Sequence, residues 1–552
     1  MPVSEPLPHL VADLLGYLHE THPTLAALDG VHAHDDLLED MSRHAVEQET
    51  RALAGYLRRL EEIRRDSVTE IEALEQKVLA AHVRGRMFDI EHGRMWERSP
   101  LPYAETLITG IATQAFMPYA PAAERARRML SKLRQTPRLV QAARDNVKEP
   151  PGIFVKAAID SLRGAVSFIT HQLPRALASV DDLHLLGDLA DAQTEASDAI
   201  GAYIQYLDAD VAPRARASFR LGRDRFEEQL RLADGITLPA DRLILLVERE
   251  LAATQEAFRV AAGKVGKGDA LEVWAGVKAQ HPAAGTLVAA VRQQLDALQT
   301  FVERQHLVTV ADVPAVMVAP ALEFDRGVPM RLWASGPFES KPSRALCVVT
   351  DVDPSWPDAR QQEHLRDCTV PVLSAMTSAA TWPGRHLLTH QLRGVSSLAR
   401  KSLLFAPPSY VEGWAHYCAQ MVVDEGFGQG DGTVRLGQLA DRLVHLVRCL
   451  VGIRLHTEDL SVEQGVRLFR EEAYLEEASA RREAERGTFD LGASVSSLGA
   501  IMLQKLRQDV KAQQGKSFAL HTFHDALLAQ GAAPVWFHRR LLLGPDAGDV
   551  LE

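Results

Sequence analysis

Apolar residues recur three and four positions apart through most of this chain, and that spacing commits it to packed helices. Within residues 51–63, Leu53, Tyr56, Leu57, Leu60 and Ile63 fall on a single helical face. The same texture runs from about residue 8 to 300, where Pro-containing breaks at 99–102, 136–137, 149–151 and 212–213 divide it into helices of ordinary length.

Between 301 and 375 the texture changes. Runs rich in β-branched residues, VTVADVPAVMVAPA and ALCVVTDV, alternate with Gly, Pro and Asp, which predicts a small sheet. Helical periodicity returns after 376, with Leu439, Leu443, Leu446, Val447 and Leu450 on one face, and a turn is expected at Gly531 to Pro534. The chain reads as mainly α. It has a helical region over 1–300, a mixed β region over 301–375 and a second helical region over 376–552, all sharing one continuous fold.

Composition removes several function classes. A net charge of −12 argues against a nucleic-acid partner, whose binding depends on Lys and Arg neutralising phosphates. Two local basic runs, Arg125 to Arg138 and Arg214 to Arg225, are interrupted by acids or lack stacking aromatics, and read as solvated helix faces. The four cysteines, Cys347, Cys368, Cys418 and Cys449, form no Cys-x-x-Cys pair and read as buried, inert thiols. Residues 1–20 carry no basic leader before an apolar stretch, and no run approaches membrane-helix length, so a cytoplasmic protein without a membrane partner is expected.

The segment with chemical content is Ala379-Ala-Thr-Trp-Pro-Gly-Arg-His386, followed by Tyr410-Val-Glu-Gly-Trp-Ala-His-Tyr417. It resembles the bacterial family known as domain of unknown function 885, a metallopeptidase-like group that reads His-Glu-x-x-Pro-Gly-His and then Glu-Gly-Trp-Ala-x-Tyr. The resemblance continues at Asp29 to Asp36, Gly336-Pro337, Arg454-Leu-His456, Leu498-Gly499, Leu506-Arg507 and Phe523-His-Asp525, and so spans nearly the whole chain.

The resemblance implies a gluzincin-like fold with a small sheet near the cleft, and a zinc ion held by paired histidines and a downstream glutamate. The first motif's glutamate would activate the metal-bound water, whose pKa falls to about 7. Aligned on Pro383-Gly384, this sequence has Ala379 and Arg385 in place of the two histidines and Ala380 in place of the catalytic glutamate. A guanidinium about 4 Å from a dication would repel it by about 8 kcal/mol at an effective dielectric of about 20. Ser496, with Leu491 and Ala493, stands where the family carries Asp-Pro and tyrosines, so a phenolic donor to an oxyanion is missing as well.

Glu412, Tyr417, His456, Arg507 and His524 match the family and are expected to line a polar cleft, with Arg385 in the metal's place opposite Glu412. On this reading no cofactor is expected, and the cleft takes a peptide or a small molecule. A shifted zinc site built from His386, His390 and Glu412 is the alternative, since the two histidines lie four apart on one helix face.

Each of these residues also has a plainer reading. Trp414 and Tyr417 are spaced to pack a core, His456 to cap helix carbonyls, and His524 to join a polar cluster at a helix start. Glu412, inside an apolar segment, requires a partner if buried. Three function classes stay open: a non-catalytic member with a binding cleft, an enzyme with relocated ligands or metal-free chemistry, and an interaction module. Nothing in the sequence speaks to oligomeric state.

Overall fold

The computed structural model describes residues 5–551, so the first four residues of the N-terminal stretch read above lie outside the described residues. Every regular element before residue 306 is helical, as the periodicity predicts. Helices α1 (Ala122–Asn146) and α2 (Leu183–Tyr206) pack together in a core drawn from residues 38–215, which buries Met129, Leu133, Leu189 and Ile200. Helix α3 (Ala240–Val265) belongs to a second core that begins at Phe226 and continues to Val550. The region 1–300 therefore feeds more than one core: these two meet at a seam between 215 and 226, and Leu7 to Val83 build another with Ala399 and Phe405.

Two expectations fail within α1. Pro137 lies inside the helix and does not end it. The proline removes one backbone bond, but buried Leu133 and Leu139 on either side hold the helix in the shared core. The basic run is a solvated face only in part, at Arg127, Arg134 and Arg138. Arg128 pairs with Glu124 (2.6 Å) and Asp35 (3.1 Å), and Lys132 is fully buried with its ammonium donating to the Gly110 carbonyl (3.1 Å).

The sheet has three short strands, β1 (Val316–Pro320), β2 (Met330–Trp333) and β3 (Ala345–Val349), in the order β1-β3-β2. β1 runs parallel to β3 and β2 antiparallel to it. Only the end of the first β-branched run pairs; Pro314 lacks the N–H a ladder needs and stands just ahead of the strand. The mixed region is also shorter than 301–375, because helices α4 (Asp358–Asp367) and α5 (Val370–Ala380) follow the strands directly. Pro371 sits in the first turn of α5, where its missing N–H costs no helix bond.

The remaining helices are α6 (Arg385–Gln391), α7 (Pro408–Asp424), α8 (Gly432–Thr457), α9 (Glu477–Arg486), α10 (Ser496–Gln514) and α11 (Leu520–Ala529). α8 starts at Asp431, whose carboxylate accepts the Thr433 N–H (2.9 Å), and it packs against both α3 and α5. Its predicted stripe of Leu443, Leu446, Val447 and Leu450 is buried, each side chain contributing about 1.5–3 kcal/mol. α7 and α10 cross at glycines: a Cβ on Gly413 would stand 2.6 Å from the Gly499 Cα, so both positions exclude a side chain. That crossing fixes the face of α7 carrying Glu412 and His416. No helix among the described residues is long and apolar enough to cross a membrane.

Candidate functional site

The two sequence motifs meet through backbone contacts. The Trp414 indole on α7 donates to the Pro383 carbonyl (3.1 Å) in the turn between α5 and α6. At Gly384 a Cβ would collide with the Ala379 carbonyl, so the turn closes only with glycine. The end of α5, the start of α6 and the second turn of α7 converge as a result. They line a cavity of about 400 Å³ bounded on another side by Met330 and Leu332 of β2.

Ala379, Ala380, Arg385, Glu412 and Ser496 all face this cavity. The Arg385 guanidinium is paired with the Glu412 carboxylate, as the sequence predicts. Both are half-buried, a setting in which a charge-assisted pair outweighs a solvent-exposed one. The residues implied for zinc do not fit a zinc ion: two methyl side chains offer no lone pair, and the remaining glutamate is occupied by a cation. Ser496 donates its hydroxyl to the Ala493 carbonyl (3.0 Å), one turn back.

Four of the expected cleft residues lie elsewhere. Tyr417 and His524 are buried and bonded to each other: the phenol donates to His524 Nε2 (2.7 Å), whose Nδ1–H donates to the Leu307 carbonyl (2.6 Å). Arg507 reaches the same phenol at 3.5 Å and pairs with Glu425 at 2.9 Å. This is a packed network joining α7, α10 and α11, and none of the three residues lines the cavity. His456 is buried at the end of α8, donating Nε2–H to the Gly487 carbonyl (3.0 Å) and accepting from the Leu221 N–H (3.4 Å). Burial pushes His456 down to about 4 and His524 to about 4, so both are neutral and His456 is not a cationic helix cap.

The alternative zinc set does not converge. His386 Nε2–H donates to the Pro314 carbonyl (2.8 Å) and His390 Nε2–H to the Ala311 carbonyl (3.2 Å), turning both rings toward the segment before β1 and not toward Glu412. The four cysteines are buried, and burial raises Cys347, Cys368 and Cys449 to about 12, so these thiols are unreactive as expected.

The cavity contains a second polar group that the motifs do not mark. His416, one turn beyond Glu412 on α7, faces Asp441 and His445 on α8, and one ligand-type atom from each lies within 4.8 Å of the others. The two imidazoles are 3.4 Å apart between centroids, and His445 Nε2 is 3.8 Å from Asp441 Oδ1. Nothing among the described residues hydrogen-bonds to the His416 ring or the Asp441 carboxylate. Arg448 donates to His445 Nδ1 (2.6 Å) and is itself anchored to Glu483 (2.7 Å).

The electrostatics of this group follow from burial. Burial, then Arg448 and Arg385, push His416 down to about 3, and burial with His416 and Arg448 pushes His445 well below the ordinary range. Burial lifts Asp441 to about 7 against the pull of Arg448. Burial would raise Glu483 too, but Arg448 and Arg486 beside it hold it down to about 2. At neutral pH both imidazoles are uncharged and carry lone pairs.

The chain matches the family described as bacterial protein of unknown function (DUF885) over residues 23–541. It belongs to that family. No curated protein matches. Among solved structures, a chain from Shewanella oneidensis, provisionally named a lipoprotein of unknown function, is similar at TM-score 0.76 and 22% identity, covering 98% of this chain and 100% of its own. A second provisionally named lipoprotein, from Colwellia psychrerythraea, has a TM-score of 0.80 at 18% identity, covering 97% and 98%. At these identities the likeness concerns the fold.

Within this DUF885 protein the sequence did contain one signal for the second group. Asp441 and His445 are four apart, as are Glu412 and His416, and each pair shares a helix face. With 21 histidines and 73 acidic residues such pairs are common, so the spacing alone selects nothing. Only the packing of α7 against α8 brings the two pairs together.

Proposed function

We propose that the protein is a non-catalytic, functionally diverged relative of zinc-dependent peptidases, with a gluzincin-like scaffold whose cavity binds a peptide or a small molecule. One observation supports this reading above the others: the Arg385 guanidinium engages Glu412 beside Ala379 and Ala380, where the resemblance calls for a metal and its water-activating glutamate. The position has been converted from Lewis acid to ion pair.

The cavity's charges favour an acidic ligand. Lys278, Arg331, Arg385, Arg448 and Arg486 line it and each has a carboxylate partner. Arg482 also lines it and has none among the described residues; its Nε is buried without a partner and its Nη2 reaches only the Ser479 hydroxyl (3.3 Å). A carboxylate, such as a peptide C-terminus, would satisfy that fork.

The test is a panel of peptide and amide substrates assayed with added zinc, manganese or cobalt, alongside thermal shifts with short peptides and their C-terminal amides. The expected result is no metal-dependent turnover, with free-carboxylate peptides stabilising the wild type and failing to stabilise Arg482→Ala. A ligand at a hundred times its Kd raises stability by about 2.7 kcal/mol, well within detection. Metal-dependent hydrolysis would overturn the reading.

A further inference from the structure

We infer that His416, Asp441 and His445 form a binding site for a divalent transition-metal ion, distinct in every ligand from the position that the sequence motifs mark. Asp441 is 5% exposed and His416 half-buried, neither side chain has a hydrogen-bond partner among the described residues, and the carboxylate meets His445 Nε2 only at 3.8 Å. Their polar atoms face the cavity together with those of His445. Two side chains without a hydrogen-bond partner, and a third, His445, held by Arg448 only at its other nitrogen, converge on one spot.

The donor set identifies the class of ion. Two imidazoles and one carboxylate suit zinc, cobalt or nickel, whereas magnesium and calcium take all-oxygen shells. Four-coordinate zinc holds its ligands about 3.4 Å apart, so ligands now within 4.8 Å draw together on binding. The fourth position opens into the cavity, where an acidic ligand could complete the shell.

A guanidinium only donates, so the Arg448 bond makes His445 Nδ1 the acceptor and leaves the ring proton on Nε2. Coordination through Nε2 moves that proton to Nδ1 and releases the Nη1 contact of Arg448. The arginine stays held through Nε by Glu483, whose charge offsets it. The site therefore has a resident cation that must turn aside when the metal enters.

The experiment uses the full chain, stripped with a chelator and titrated with cobalt(II), following its visible ligand-field absorption, and then with zinc in competition. The expected result is one ion per chain, insensitive to millimolar magnesium. Affinity should fall in His416→Ala and Asp441→Ala by more than the about 10–100-fold that losing an outer-shell partner costs. His386→Ala, whose ring is turned toward Pro314, should bind as the wild type does. Should the alanine variants fold poorly, His416→Gln keeps the volume while changing the ligand, and its cobalt spectrum must differ.

No cobalt or zinc binding by the wild type would overturn the site, as would binding that survives His416→Ala or that magnesium matches. Turnover that disappears in His416→Ala would leave this site standing and overturn the non-catalytic reading, so the two fail separately.

Discussion

His32 and His416 are both imidazoles enclosed by carboxylates and arginines, and their bonding differs completely. His32 is bonded on both nitrogens, at Nδ1 to Asp35 (2.9 Å) and at Nε2 to Glu339 (2.7 Å), and it stacks on Tyr119 at 3.6 Å between centroids. Arg128 adds a second cation on Asp35 at 3.1 Å. The His416 ring has no hydrogen-bond partner among the described residues, and the aspartate facing it has only the 3.8 Å contact with His445. The first cluster cross-links the N-terminal segment to the loop after β2 and spends its polarity inside the protein. The second keeps its polarity available to the cavity. Burial and residue type are alike in the two, so hydrogen-bond satisfaction separates structural polarity from a site.

The largest effect expected from this contrast is at Asp35. Asp35→Ala leaves His32 and Arg128 without their shared carboxylate, and breaking a buried ion pair from one side costs about 3–5 kcal/mol. Urea unfolding midpoints of the wild type and the variant measure it. A loss under about 1 kcal/mol would mean that the cluster is not structural, and the contrast would collapse.

A smaller effect is expected from pH acting on the same cluster. Burial alone would depress the His32 imidazolium, but the hydrogen bonds it donates to Asp35 and Glu339 outweigh it and raise the group to about 9. A histidine whose folded value lies above its unfolded value of about 6.5 stabilises the fold fully below pH 6.5. That contribution is lost as pH rises from about 6.5 through about 9, at most about 3 kcal/mol before screening. Thermal unfolding followed across this window should show a falling midpoint in the wild type and a flatter profile in His32→Gln. Equal slopes in the two would remove His32 as the cause.

The same contrast shows what the sequence could and could not reveal. Helix periodicity located α8 and its buried stripe, and the β-branched runs located the sheet, because both depend on local spacing. The motif glycines were legible as letters but not as packing: Gly413 and Gly499 lie 86 positions apart, and only the crossing of α7 on α10 explains both. Likewise the segment at 29–36 and Gly336-Pro337 read as separate matches, yet the Phe338 N–H donates to the Asp29 carbonyl (2.8 Å) and a Cβ on Gly336 would strike Asp29. Of the expected cleft set, Glu412 faces the cavity, while Tyr417, His456, Arg507 and His524 are absorbed into cross-links elsewhere. A motif records that a polar residue is needed and not whether it is needed for bonding or for chemistry. Pro137 was misread for a related reason, since tertiary burial overrode a local signal.

The smallest expected effect is also the one with the opposite sign. Asp441 is a buried carboxyl without a hydrogen bond to the protein, and burial raises it to about 7, so its charged form is disfavoured in the folded state. Replacing it with an apolar side chain removes that cost, and the adjoining cavity gives a leucine room that a close-packed core would not. Asp441→Leu should therefore be neutral or more stable by about 1 kcal/mol in protein kept metal-free with a chelator, whereas Asp35→Ala is strongly destabilised. Adding zinc should leave Asp441→Leu less stable than the wild type, because the variant lacks a ligand and gains no binding energy from an ion that recognises the folded state. If Asp441→Leu instead loses more than about 2 kcal/mol without metal, the carboxylate has a structural partner after all, and the line drawn between the two clusters would have to be redrawn.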